Sequence, residues 1–172
     1  LYGKKRFCHF INATDLNYKV LSLCEENGYS VFFWGGDPKA IQLLPAVLKA
    51  KFPKLKVAGI LDRNKAPSPD LITRIHKSDA SVLMLGLGTP SQELINHQYR
   101  SSLNVNVTLT VGSFFEFLTE FKPRAPLWMQ RSGIEWLHRL LIDPKRLWKR
   151  YLFGIPLFLG TVILHKFMKT KT

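Results

Sequence analysis

The chain predicts an α/β fold: a mainly parallel sheet flanked by helices, followed by a basic helical appendage at the C-terminus. Three observations predict it. Short apolar runs alternate with helix-length segments from Thr14 to Gly112, as right-handed βαβ units require. Glycine-bearing loops, GGDPK, GLGTPSQE and VGSFFE, follow three of those runs. After Pro123 the alternation stops, and short aromatic, basic segments take over.

Taken in order, TDLNYKVLSLCEENG places Leu16, Val20, Leu23 and Cys24 on one helical face, with Thr14 or Asp15 as N-cap and Gly28 as the stop. YSVFFW, residues 29–34, is an unbroken apolar run that suits a strand buried on both faces. Asp37 and Pro38 open a helix to Phe52, which Pro45 should kink because proline lacks an N–H and crowds the preceding turn. KVAGI is the next strand. Ser68 caps a helix that starts at Pro69, and ASVLMLGLG is the most hydrophobic strand. A helix from Pro90 to about Ser102 and the strand VNVTLTVG complete the sheet. Residues 1–121 are read as the sheet domain and 122–172 as the appendage.

The 172 residues, 46% of them hydrophobic, are enough for a real core and argue against disorder. The formal charge of +13 is uneven: from Lys122 onward 11 Lys/Arg face only Glu135 and Asp143. That excess calls for an anionic partner, for which membranes, nucleic acids and phosphorylated substrates all qualify. Nucleic acid is disfavoured because no RRM, KH, zinc or helix-turn-helix signature accompanies the charge. Cys8 and Cys24 have neither metal-ligand spacing nor a paired framework, which fits a reducing cytosol. His9, His76, His97, His138 and His165 are scattered, so no metal site is expected. No secretory signal opens the chain, and its start at Leu1 rather than Met suggests a fragment, a processed product or a trimmed chain.

In parallel sheets ligands bind outside the carboxyl ends of the strands, where these glycine loops lie. In GLGTPSQE, Gly86 and Gly88 allow close approach to the backbone, Thr89 can cap, Pro90 suits the first helical turn, and Gln92 and Glu93 lie within it. Such a helix N-terminus favours a phosphate, although an ordinary strand-to-helix turn would look the same. Gly35 and Gly36 in GGDPK, and Gly112 in VGSFFE, are the same device. Neither GxGxxG nor the P-loop spacing occurs, which disfavours a dinucleotide cofactor or an ATPase. Asp15, Asp37, Glu93 and Glu116 are candidates for a general base, with helix capping the competing role for the first two.

In the appendage, Arg139, Arg146 and Lys149 are spaced to line one side of successive turns, with Asp143-Pro144 interrupting the helix. Trp128, Trp136, Trp148, Tyr151 and Phe153 alternate with the bases, a pairing suited to a lipid headgroup layer. Leu152 to Leu164 is almost wholly apolar, yet shorter than the roughly 20 residues a spanning helix needs. Insertion into one leaflet through Trp148, Tyr151, Phe153, Leu157 and Phe158 is the expectation. A buried hairpin or a contact between copies in a homo-oligomer is the alternative.

VGSFFEFLTEFKPRAPLWMQRSGIEWLHRLLIDPKRLWKRYL closely resembles the C-terminal signature of the WecG/TagA/CpsF glycosyltransferases (glycosyltransferase family 26), which runs roughly VGGxFDFxAGxxxRAPxWMxxxGLEWLxRLxxEPxRLxxRY. GLGTPSQE is similar to that family's GxGxPxQE, and ATDL to its GTDL. The resemblance implies a Rossmann-like enzyme that needs no cofactor or metal. It would move an N-acetylhexosamine, typically N-acetylmannosamine or its uronic acid, from a UDP-sugar to polyprenyl-diphosphate-linked N-acetylglucosamine, with inversion. The implied setting is the cytoplasmic face of a bacterial membrane, in teichoic acid or polysaccharide synthesis.

By the same resemblance Gln92 is the sugar-nucleotide glutamine, within a donor site formed by Gly35, Gly36, Gly86, Gly88, Thr89, Pro90, Gln92, Glu93 and Gly112. Arg139, Arg146 and Lys149 would hold the acceptor diphosphate, the last with loss of the bidentate arginine fork. Glu116 stands where the family usually has Asp, and Ser113 where it has Gly. The family's proposed base, an Asp in a PDG segment, would lie N-terminal to Leu1, so no residue here inherits that role. A catalytically defective, membrane-tethered nucleotide-sugar-binding module is the alternative.

Overall fold

The computed structural model describes residues 12–169, without the side chains of Arg131, Arg146, Arg150 and residues 166–169. Cys8 and His9 lie outside the described residues. The chain divides into two compact units, Leu1–Pro123 and Arg124–Thr172.

The first unit is built on four parallel strands: β1 (Ser30–Gly35), β2 (Lys56–Leu61), β3 (Val82–Gly86) and β4 (Val107–Thr110), in the order β2-β1-β3-β4. Helices α1 (Ala13–Asn27), α2 (Pro38–Lys51), α3 (Pro69–Lys77), α4 (Ser91–Tyr99) and α5 (Phe114–Leu118) accompany them. β1 and β3 are buried along nearly their whole length because both faces are covered. Val31 and Phe33 join Val82 and Met84 in a core with Leu21 and Cys24 of α1, Ile41, Leu44 and Leu48 of α2, and Phe114, Phe115 and Leu118 of α5. Phe32 and Trp34 join Leu83 and Leu85 on the opposite face with Ile72 and Ile75 of α3 and Leu103, against which Ile95 and Tyr99 of α4 pack. The alternation of the strand supplies both cores from one run of sequence. Burial raises the pKa of the Cys24 thiol, which fits a packing role.

Two expectations for α1 need correction. The N-cap is Asn12, whose side chain accepts from the Thr14 N–H, rather than Thr14 or Asp15. The buried face carries Thr14, Asn17, Leu21 and Cys24, whereas Leu16 and Leu23 are exposed. The buried stripe thus lies one residue, about 100° of rotation, from the most hydrophobic stripe. Gly28 does end the helix, in the left-handed conformation. α2 runs unbroken through Pro45, with Asp37 as N-cap, and Ser68 caps α3 before Pro69.

The second unit consists of α6 (Leu127–Arg131), α7 (Glu135–Ile142), α8 (Pro144–Lys149) and α9 (Ile155–Lys169). α7 ends as anticipated before the Asp143-Pro144 step. A π-helical turn, Arg150–Gly154, joins α8 to α9, so neither Gly154 nor Pro156 breaks the rod. Leu147–His165 is in consequence a helix of 19 residues, long and apolar enough to cross a membrane by length and composition. The shorter estimate, Leu152 to Leu164, counted only the apolar residues and not the helix that carries them.

Candidate functional site

The sheet order sets the position of the site. The chain leaves β1 toward β2 on one side and returns to β3 on the other, so the loops after β1 and β3 part company between these two neighbouring strands. Such a switch point is where open parallel sheets hold ligands. At that point Gly35 and Gly86 are register partners, and the Gly36 N–H donates to the Gly86 carbonyl at 2.9 Å. Gly35 has φ +127, and a Cβ built on it would sit 2.3 Å from the Gly86 carbonyl carbon. Glycine is required here because two backbones meet.

The third loop closes in from β4. The Val111 N–H donates to Leu85, the last residue before Gly86, and a Cβ on Gly86 would lie 3.0 Å from the Gly112 carbonyl oxygen. Phe115 of α5 covers both Gly36 and Gly86 from one side. Among the described residues nothing lies within 4 Å of where a side chain would start at Gly88 and Gly112, with φ of +81 and +56. Gly35, Gly36, Gly86 and Gly112 are thus brought together, and Gly88 follows directly at the mouth of the loop.

α4 begins at this cluster. Side chains of Asn12, Asp37 and Ser68 cap α1, α2 and α3, whereas the N-cap residues of α4 and α5, Pro90 and Ser113, give no side-chain hydrogen bond to their first turns among the described residues. Thr89 does not cap α4, contrary to expectation: its hydroxyl donates to Glu93 Oε1 at 3.2 Å. Pro90 stands at the N-cap position, not inside the helix, because the first helical residue is Ser91. An uncapped N-terminus carries N–H groups and the positive end of the helix dipole, to which an anion is complementary.

Gln92 is buried, with both ends of its amide engaged. Its Oε1 accepts from the Gly112 N–H at 3.3 Å and its Nε2 donates to Glu93 Oε1 at 2.8 Å. That donation, the largest cause, holds the Glu93 carboxyl below its ordinary pKa, with the Thr89 hydroxyl helping.

The remaining carboxylates separate by environment. Asp15 is exposed on α1. Asp37 accepts from the Lys39 N–H as a cap and pairs with Arg63 Nη2 at 2.6 Å. Sequence reasoning missed Arg63; its position just past the carboxyl end of β2 was the available signal. The Arg63 N–H donates to the Gly36 carbonyl at 3.3 Å, placing the Arg63 loop beside the glycine cluster. Glu116 of α5 is 4% exposed, and its Oε2 has no hydrogen-bond partner among the described residues. A buried carboxyl oxygen without a donor is costly.

In the second unit, Arg139 Nη2 and Nε both donate to Glu135 Oε1, at 2.6 and 3.1 Å, one turn earlier on α7. Lys149 is exposed, with its ammonium 5.6 Å from the centre of the Trp148 ring. The Arg146 side chain lies outside the described residues. Trp148 packs edge-on against Phe153, and Trp136 of α7 meets Tyr151 at a tilt, with ring centres 5.8 Å apart. Phe153, Leu157 and Phe158 are at least 66% exposed.

Residues 2–172 match the model of the glycosyl transferase WecG/TagA/CpsF family. Over 153 residues the chain is 28% identical to an N-acetylglucosaminyldiphosphoundecaprenol N-acetyl-beta-D-mannosaminyltransferase of Bacillus subtilis, covering 89% of this chain and 59% of that protein. A protein of the same description from Bacillus spizizenii is 30% identical over 156 residues, covering 91% of this chain and 60% of its own length. The chain therefore spans about three fifths of these relatives.

Proposed function

The chain belongs to the WecG/TagA/CpsF glycosyltransferase family, and from that premise we propose that it serves the transfer of an N-acetylhexosamine from a UDP-sugar to polyprenyl-diphosphate-linked N-acetylglucosamine. N-acetylmannosamine is the favoured sugar, because both relatives are described as N-acetylmannosaminyltransferases acting on a diphosphoundecaprenol-linked acceptor. The observation that carries the reading is the meeting of three glycine loops at the β1/β3 switch point beside the uncapped N-terminus of α4.

In this reading the donor diphosphate lies against the backbone of Gly36, Gly88 and Gly112 and the first turn of α4. Charge builds on the departing UDP as the sugar's anomeric bond breaks, and fixed N–H dipoles stabilise that charge without reorganising. The mechanism implied is inverting displacement without a metal: the acceptor hydroxyl forms the new bond to the anomeric carbon as UDP leaves, and its proton passes to a base. Asp37 and Glu93 are poorly suited to that role, because one caps α2 and pairs with Arg63 while the hydrogen bond from Gln92 lowers the basicity of the other.

The second unit holds the acceptor through Arg139, Arg146 and Lys149 and meets an anionic membrane surface, at the cytoplasmic face, through Trp148, Tyr151, Phe153, Leu157 and Phe158. The exposure of those apolar side chains on a basic, aromatic rod supports membrane contact. The product would be a lipid-linked disaccharide for teichoic acid or another cell-envelope polysaccharide.

The test is transfer of labelled sugar from UDP-N-acetylmannosamine to a lipid-diphosphate-N-acetylglucosamine analogue, with the chain alone and with the N-terminal part of the Bacillus subtilis relative joined to it. Transfer in either form supports the enzyme reading. Tight UDP-sugar binding with no transfer in both forms favours a membrane-tethered binding module, and no binding at all rejects the donor site.

A further inference from the structure

We infer that Glu93 is a positioning residue, fixing the direction of the Gln92 amide and thereby fastening the loop after β4 to the loop after β3. The inference deepens the donor-site reading and rests on it for its consequence, but the geometry stands by itself. A primary amide has a donor end and an acceptor end of nearly equal size, so a buried one must be told which way to face. Gly112 presents an N–H, which donates to Gln92 Oε1 at 3.3 Å. If the amide turned over, two donors would oppose each other in a site that is 4% exposed.

Glu93 removes that option. An ionised carboxylate only accepts, so Gln92 Nε2 must point toward it, at 2.8 Å, and Oε1 is left for Gly112. The Thr89 hydroxyl donates to the same Glu93 oxygen and anchors the carboxylate to its own loop. The result is a continuous chain of hydrogen bonds, Thr89 to Glu93 to Gln92 to Gly112, joining residues that are distant in sequence. Gly112 sits in a left-handed turn, φ +56, and its N–H is taken by Gln92, so this bond fixes where the loop after β4 meets the loop after β3. Gln92 therefore acts on the donor through loop geometry, with its amide already committed to protein partners.

The experiment compares Glu93→Ala, Glu93→Gln and the unaltered 172-residue chain by two readouts: hydrogen exchange of the Gly112 amide, and affinity for UDP measured calorimetrically. Glu93 is exposed, so both variants fold, which circular dichroism verifies. Glu93→Ala should speed Gly112 exchange and weaken UDP binding by about fivefold each, the loss expected for one net hydrogen bond. Glu93→Gln keeps an acceptor oxygen for Gln92 Nε2 and should recover most of both losses. Wild-type Gly112 exchange in Glu93→Ala overturns the inference. So does Glu93→Gln losing as much as Glu93→Ala, since the charge at the start of α4 would then be what counts. If the unaltered chain binds no UDP, the donor reading fails, and Gly112 exchange still decides the positioning role.

Discussion

Replacing Gly35 by Ala tests whether the site depends on the close approach of two backbones. The new Cβ would lie 2.3 Å from the Gly86 carbonyl carbon and 2.5 Å from its oxygen, and φ +127 is foreign to an L side chain. Both atoms are main chain in the register partner, so relief requires β1 and β3 to part at their carboxyl ends. Overpacking of about 1–3 kcal/mol and backbone strain of about 1–3 kcal/mol together give about 2–6 kcal/mol. A domain is typically stable by about 5–15 kcal/mol, so the loss is a large fraction of the whole. Gly88→Ala is the control: its φ is also positive, at +81, but no atom of the described residues lies within 4 Å, leaving strain of about 1–2 kcal/mol. Urea unfolding followed by circular dichroism should place the Gly35→Ala midpoint lower than that of Gly88→Ala by at least about 0.3 M, from overpacking of about 1–3 kcal/mol and a slope of about 1–3 kcal/mol per molar. Equal midpoints for the two variants would refute the reasoning.

Glu120 occupies a left-handed backbone position, φ +57, while pairing with Lys51 at 2.9 Å on the surface. Relief of about 1–2 kcal/mol of strain exceeds the ion pair's about 0–1 kcal/mol, so Glu120→Gly should raise the melting temperature by a few degrees, and a fall would show that the Lys51 contact dominates. Glu93 has a depressed pKa, so its contribution is present above the unfolded carboxylate value and is lost as pH falls through the lower folded value. The Gln92 side-chain amide signals in an NMR titration should hold steady from neutral pH to the ordinary carboxylate range and move only in stronger acid; movement near neutrality would contradict the network. Deleting Leu152 to Thr172 should release the protein from anionic vesicles in a flotation assay while leaving UDP affinity within about twofold, and continued flotation would contradict membrane contact through this segment.

The strands were legible because runs such as Val31–Trp34 and Val82–Leu85 are short and apolar at every position, as suits a strand covered on both faces. Asp37 and Ser68 were legible as caps because each precedes a proline at the start of its helix. α1 was misjudged in its face because Thr14 and Asn17 are buried where leucines were expected, and hydrophobic periodicity is blind to a buried polar residue. Within the site, the glycine loops could be read one at a time, since each follows its strand. The bond from Gln92 to Gly112 spans 20 residues, and the Arg63–Asp37 pair spans 26, so neither leaves a local pattern. The sheet order, β2-β1-β3-β4, creates both contacts.

The central claim is that UDP binds across the three glycine loops at the β1/β3 switch point. Titrating UDP into the labelled chain while following backbone amide signals tests it most directly. The account predicts that Gly36, Gly88, Ser91 and Gly112 shift together along one saturating curve, while Arg74 and Lys77 of α3 stay fixed. Saturable shifts confined to α3 or to the second unit, with the glycine amides unmoved, would contradict it.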